Sequence, residues 1–311
     1  MKILITGGAG FVGSHLSEDL LKKNHEITVV TRKNTKNIKN ILKDINLEKS
    51  DVSNFSKMEK IILKNKPELI IHLAGNTSHS KSFEKPFNDL NSNVKSTLNI
   101  LEILKQSIPG CRFILGSTFV VIGKPQKLPV NENSVCNPTT LYGINKLASE
   151  QYTKAYNQIY KLNTNIFRIT NSFGPKEQII PTKNAVNYII HRAFNGENIT
   201  IYNDGKFFRD LIYITDVVNA INTIIKKGKS GELYWISSNK KTWFYQLGKI
   251  LEKLTDAKTE YINPSRYTKK VDVGNFIVNN YKLRKLGWSP KINLDTGIKK
   301  TLEYFAHIKN Y

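Results

Sequence analysis

Short apolar runs alternate with longer amphipathic stretches through the first half of the chain. Lys2 to Thr6 is too short and too apolar for a helix and predicts a buried strand. A glycine-rich turn and an amphipathic helix over Phe11–Lys22 follow. Glu26–Thr31 predicts a second strand, residues 34–46 a loop with a short helical piece, and another short strand runs into Asp51-Val52. A helix from about Asn54 to Asn65 stops before Pro67, and Glu68–Leu73 predicts a strand leading into Ala74-Gly75-Asn76. Leu90, Val94, Leu98, Leu101 and Leu104 recur at helical spacing, which predicts one long helix over Phe87–Gln106. Cys111–Gly116 predicts a strand with Ser117-Thr118 at its carboxyl end; a helix begins after Asn137-Pro138 and runs to about Tyr160; Asn163–Ile169 predicts the next strand. Alternation of this kind predicts an α/β fold, a doubly wound parallel sheet of Rossmann type.

The rhythm changes from Asn171 onward, where Phe173-Gly174-Pro175 interrupts it. The later chain predicts a helix over Thr182–Phe194, a strand near Ile199 and a strand over Arg209–Ile214. Asp216 is expected to cap a helix over Val217–Ile225. A strand over Glu232–Ile236, a helix over Thr242–Leu254 and a last helix to about His307 complete the pattern. These pieces suit a smaller, mixed α/β C-terminal substrate lobe. The expected division is 1–170 for the Rossmann domain and 171–311 for the lobe, interlocked, with later segments contributing to the sheet.

The 311 residues carry a formal charge of +22, which raises a nucleic acid or a membrane surface as a partner. The lysines are scattered, however, and form neither a dense basic block nor an RNA-binding signature, so no nucleic acid is expected. Attraction of a small anionic molecule remains. Cys111 and Cys136 lack metal-ligand spacing and suggest no disulfide framework, which suits a reducing cytoplasm. No apolar run approaches the ~20 residues that span a bilayer, so no membrane partner is expected.

Gly7, Gly10 and Gly13 follow the first strand at Gly-x-x-Gly-x-x-Gly spacing. Glycines there let the backbone turn tightly and let a pyrophosphate approach, and the helix opening at Phe11-Val12-Gly13 points amides at the anion. The strand before and the helix after favour dinucleotide binding. The second strand ends Val30-Thr31-Arg32-Lys33, with no carboxylate to hold a free ribose 2′-hydroxyl. Arg32 and Lys33 stand where a 2′-phosphate would lie, which favours NADP over NAD unless both belong to the basic background. Tyr142 and Lys146, four apart, share a helix face. An ammonium near a phenol favours the phenolate and makes proton transfer available near neutral pH, although such a pair is also common on solvated helices. His79 and Ser78 fall in the loop after the Glu68–Leu73 strand, where His79 is expected to be solvated.

Taken together the chain resembles the extended short-chain dehydrogenase/reductase family, in its nucleotide-sugar epimerase/dehydratase branch. The matching pieces run through Thr6 to Gly13, Asp51-Val52, His72 to Gly75, Asn93 to Asn99, Ser117-Thr118, Tyr142 to Lys146, Arg168 to Asn171 with Phe173 to Pro175, Asp204 to Tyr213 with Asp216-Val217, and Lys282 to Trp288. The resemblance implies that Tyr142 is the acid/base, that Lys146 lowers its pKa and holds the nicotinamide ribose, and that Thr118 bonds the reacting sugar oxygen. It implies that Asp51 meets the adenine, with Val52 beside it. Leu73, Ala74 and Gly75 line the cofactor, and Asn93 belongs to the same surface. On the substrate side Asn171 and Arg209 hold the diphosphate of a nucleotide-diphosphate sugar, Ser78 lies near the sugar, and Arg266 or Lys269 supplies a second phosphate contact. The alternative for Arg209 is an ion pair with Asp210 or Asp216.

Departures narrow the chemistry. Phe119-Val120 replace the acidic pair of the dehydratases, which argues against 4,6-dehydration. Val121-Ile122-Gly123 replaces the usual Val-Tyr-Gly. Val120 and Gln178 stand where double epimerase-reductases carry a cysteine and a histidine. The expectation is hydride transfer at sugar C4, with reduction of a 4-keto sugar favoured over 4-epimerisation with a retained cofactor. A non-catalytic dinucleotide-binding protein is the rival from another class. The family also implies a homodimer through the Phe87–Gln106 and Tyr142–Tyr160 helices.

Overall fold

The computed structural model describes residues 1–32, 34–181 and 184–309. Its central sheet holds β1 (Lys2–Thr6), β2 (Glu26–Thr31), β3 (Asn46–Lys49), β4 (Leu69–His72), β5 (Arg112–Thr118), β6 (Thr164–Ile169) and the late strand Leu233–Ile236. They lie in the order β3-β2-β1-β4-β5-β6-Leu233–Ile236, and every neighbouring pair is parallel. The chain winds outward from β1 in both directions, so a crevice opens at the carboxyl ends of β1 and β4, where doubly wound sheets take their ligands.

The strand periodicity sorts the core into two layers. Ile3, Ile5, Val29 and Ile71 face one way, against Leu16 and Leu20 of α1 (Phe11–Lys22) and Val217, Ile221 and Ile224. Leu4, Val30 and Ile70 face the other, against Met58 and Ile62 of α2 (Phe55–Asn65) and Leu101 and Leu104. Alternate side chains of a strand point to opposite faces, so one short apolar run serves both layers. Asn54 caps α2 by accepting from the Lys57 amide. Small two-stranded sheets pair Asn171–Phe173 with Leu211–Tyr213, Phe208–Arg209 with Thr242–Trp243, and Ile199–Tyr202 with Thr259–Ile262.

Three expectations need correcting. The helix expected over Phe87–Gln106 is helical without a break over Pro86–Ser107 but not α throughout: Pro86–Leu90 and Ser96–Ser107 flank a π-helical turn over Asn91–Lys95, and a separate short helix, His79–Glu84, precedes them. Pro86 opens the long helix, where its missing N–H costs nothing. In the π turn Ser96 and Thr97 donate back to the carbonyls of Ser92 and Asn93. The strand expected over Arg209–Ile214 breaks at Asp210, whose buried carboxylate accepts from the backbone amides of Ser238, Asn239 and Val278. Asp216 does not cap its helix. The helix is Ile214–Lys227, and the Asp216 carboxylate instead accepts from the amides of Lys291 and Ile292. The helix expected from Thr182 is described as Ala185–Phe194, capped by Asn184; Thr182 itself lies outside the described residues.

Candidate active site

The glycine turn is built from backbone. Gly7 has φ +69°, a conformation that disfavours side chains, and a Cβ there would fall 2.7 Å from the Ala74 amide nitrogen. A Cβ on Gly13 would fall 2.3 Å from the Gly7 carbonyl oxygen, so α1 packs against the turn only because residue 13 has no side chain. Gly10 sits at the N-cap of α1 and lines the cleft, which leaves the first-turn amides turned toward an anion. A side chain at Gly10 would project into that cradle, so the residues present fit a dinucleotide's diphosphate.

A cleft of about 1800 Å³ runs from this turn across the sheet ends to the late chain. Phe11, Val12, Arg32, Asp51, Val52, Leu73, Ala74 and Gly75 all border it. Lys33 lies outside the described residues. The Arg32 guanidinium stands 3.9 Å from the Asp51 carboxylate. Burial works against ionisation of Asp51, but hydrogen bonds from the Ser53 amide and hydroxyl, with Arg32 and Lys95 nearby, hold its carboxyl below the usual range. A negative charge therefore faces the place where a 2′-phosphate was expected. Asn93 is not in the cleft wall. It lies behind Gly75, its amide donating to the carbonyls of Asn76 and Asp89.

Farther along, Thr118 ends β5 and Tyr142 begins the Leu141–Tyr160 helix, whose N-cap Thr140 accepts from the Gly143 amide. Both side chains border the cleft, and the Thr118 hydroxyl bears on the ionisation of the phenol. Lys146 is buried behind Tyr142 and does not border the cleft. Burial pushes its ammonium down to about 8, against the pull of Glu150 and Asp89. The expected lowering of the phenol is not met. Burial raises Tyr142, the Thr118 hydroxyl opposes the rise, and the Asp89 carboxylate adds to it.

The framework beneath is polar. Ser117 donates to Glu150, and Arg168 on β6 pairs with Glu150 at 2.6 Å with both side chains essentially sealed from solvent. This ties the end of β5 to the Leu141–Tyr160 helix.

Sequence reasoning missed a second network. Asp89 is fully buried, accepting from Asn76 at 2.6 Å and from Asn145 at 2.7 Å. It joins the loop after β4, the Pro86–Leu90 helix and the helix carrying Tyr142. An acid one place from the leucine stripe was the available signal. His79 is not a solvated loop residue: its ring meets Tyr142 edge-on at 5.6 Å and borders the cleft. Ser78 caps the His79–Glu84 helix and lies outside the cleft wall, where Thr77 and Ser80 stand instead.

On the substrate side Asn171, Arg209 and Lys269 border the cleft, whereas Arg266 does not. Arg209 pairs with neither Asp210 nor Asp216. Its Nη2 donates to Asp272 at 2.5 Å, Nη1 to the Phe208 carbonyl, and the guanidinium lies over the Phe207 ring. Among the described residues, no cluster of His, Cys, Asp and Glu could hold a metal ion, and no helix is long and apolar enough to cross a membrane.

The model of the NAD dependent epimerase/dehydratase family matches residues 3–237. The chain belongs to that family. A Methanocaldococcus jannaschii protein provisionally named a UDP-glucose 4-epimerase is 30% identical over 305 residues, covering 98% of each chain. The crystal structure of a UDP-glucose 4-epimerase from Thermotoga maritima, determined with UDP-glucose, superposes with a TM-score of 0.92 at 30% identity, covering 99% of this chain and 100% of that one. The Thermus thermophilus UDP-glucose 4-epimerase, in complex with NAD, gives 0.89 at 26% identity, covering 98% and 99%. The NAD dependent epimerase/dehydratase family thus accounts for the sheet order, the glycine turn and the enzymatic character of this chain. These three relatives are named as epimerases rather than reductases, and one holds NAD, so the expected preferences for reduction and for NADP find no support among them.

Proposed function

We propose that this chain is a 4-epimerase of a nucleotide-diphosphate hexose that works with a retained NAD. The observation that carries the reading is the meeting of Tyr142 and Thr118 on the wall of the same cleft as the glycine turn. Residues 1–170 would hold the dinucleotide, with Gly7, Gly10, Phe11, Val12 and Gly13 at its diphosphate, Asp51 and Val52 at the adenine, and Leu73, Ala74 and Gly75 along its length. When bound, the nicotinamide accepts and returns a hydride at sugar C4 and, oxidised, brings a positive charge near the phenol.

Tyr142 takes the proton of the sugar C4 hydroxyl and gives it back, and Thr118 holds that oxygen in line. Lys146, with its ammonium near 8, still carries most of its charge at pH 7 and favours the phenolate once the tyrosine must ionise. Asn171, Arg209 and Lys269, from residues 171–311, take the substrate's diphosphate. Phe119 and Val120 leave no acid to protonate a departing hydroxyl, which supports redox at C4 alone. Asp51 supports NAD, since its carboxylate would repel a 2′-phosphate beside Arg32. Exposed apolar side chains on the two helices named for pairing, Phe87 at 79% and Ile144 at 48%, support a homodimer.

A second reading, net reduction of a 4-keto sugar, is favoured by one observation. A phenol raised by burial is protonated at rest and ready to donate. Purified enzyme given UDP-glucose without added cofactor separates the two. Conversion at C4 with no change in dinucleotide absorbance supports the epimerase. No conversion of UDP-glucose, with product formed instead from a nucleotide-linked 4-keto sugar at the expense of stoichiometric NADPH or NADH oxidation, supports the reductase and overturns the main reading.

A further inference from the structure

We infer that residues 174–178 form a latch that retains the dinucleotide, a reading that rests on the dinucleotide site proposed above. The segment follows the Asn171–Phe173 strand, borders the cleft, and is fastened to α1 and to the chain after β2. Gly174 sits at its root, gripped on both backbone groups by Asn187: its amide donates to Oδ1 and its carbonyl accepts from Nδ2, each at 3.1 Å. The next carbonyl, of Pro175, accepts from His15 Nε2 at 3.0 Å. A carbonyl only accepts, so the His15 proton must lie on Nε2. Burial lowers the pKa of that ring, which suits a neutral donor.

Lys176 is the central fastening. Its ammonium pairs with Glu18 on α1, with both side chains more than four-fifths buried. Its carbonyl accepts from Asn37 Nδ2 at 2.9 Å. The same Asn37 amide reaches the Ala9 carbonyl at 3.4 Å, which ties the segment to the glycine turn itself. Lys176, Glu177 and Gln178 border the cleft on its open side. Three elements therefore converge on this short segment: α1, the chain after β2 and the Ala185–Phe194 helix.

These contacts have no role in building the sheet or in the proton path at Tyr142. They join the segment to α1 and to the glycine turn, so they must part before a bound dinucleotide leaves past this edge. An epimerase needs such retention, because the hydride must return from the same cofactor molecule.

The test follows the loss of NADH from the full-length protein. Loaded enzyme is mixed with excess NAD and the decay of bound-NADH fluorescence is timed. Glu18→Lys sets like charges against each other and speeds loss about tenfold or more. Adding Lys176→Glu to that variant recreates the pair with reversed charges and returns slow loss. Asn37→Ser, which removes a fastening from another element, also speeds loss. Melting temperatures check that each variant is folded. Wild-type loss rates in both Glu18→Lys and Asn37→Ser overturn the latch and leave the dinucleotide site standing. Equally fast loss in Glu18→Lys and in the charge-reversed double variant also overturns it, because the effect is then damage to α1. A wild-type protein that binds no NADH or NADPH overturns the underlying site as well.

Discussion

The two ends of the cleft are made of different material. At the dinucleotide end the chain uses mainly backbone: the glycines and helix N-terminus of the single stretch Gly7–Gly13, with the ends of neighbouring strands beside it. At the sugar end it uses side chains, drawn from the segments around residues 77–89, 118, 142–146, 171, 209 and 269–272. Backbone geometry is dictated locally and leaves a readable spacing. A side-chain site is assembled by the fold, and each member looks ordinary until its neighbours are known.

Four measurements break or sharpen this contrast. The largest effect belongs to Tyr142→Phe. Losing the proton carrier should lower turnover by about a thousandfold, within the usual range for general acid–base groups, while NADH binding persists. Substantial remaining turnover would show that another group moves the proton. Next is Gly13→Ala at the opposite end. A methyl at 2.3 Å from a backbone carbonyl cannot be relieved by a rotamer change. Stability should fall by about 1–3 kcal/mol in denaturant titration, and dinucleotide binding should be lost. If the backbone end tolerates this change with normal binding, the contrast fails at its clearest point.

Third, Arg209→Gln should raise KM for a nucleotide sugar by about tenfold to a hundredfold, the range for a hydrogen bond to a charged group, with NADH binding unchanged. A drop in kcat alone would place Arg209 nearer the chemistry than the diphosphate. The smallest effect is expected for Asp89→Asn. Its carboxylate disfavours the Tyr142 phenolate, so removing the charge lowers the phenol's pKa. The limb of the pH–rate profile that rises as the phenol ionises should then move to lower pH. The group does not act alone: Lys146, Glu150, His79 and His72 share its surroundings, and the same substitution removes a charge that keeps Lys146 protonated. A profile that stays in place, or moves to higher pH, would reduce Asp89 to a structural role.

The same contrast explains what the sequence disclosed. β1, α1 and β2 have the boundaries expected of them, because a five-residue apolar run, three glycines and an amphipathic stripe each have one compact solution. Tyr142 and Thr118 were readable as a pair only through their order along the chain, and the fold brings both to the wall of one cleft. The state of the phenol was not readable. Spacing from Lys146 carries no information on burial, and burial is the dominant influence on both groups. The surroundings of Arg32 were not readable for a related reason. Asp51 lies on a different segment and reaches it only once β3 is paired beside β2. Asp272 opposite Arg209, and Asp89 between two asparagines, were invisible because nothing in their local pattern distinguishes them from surface acids.

The outermost strand of the main sheet comes from residues 233–236, far along the chain from its neighbour β6. Until that stretch has been synthesised, a nascent chain carries the β6 edge bare, with Arg168 lacking the Trp235 ring it will lie against. Emerging polypeptide must therefore keep an adhesive edge solvated or chaperoned while some sixty more residues are added, roughly several seconds at ordinary elongation rates. Truncations that stop before Leu233 should be insoluble even though they contain every residue of the glycine turn and the Tyr142 helix.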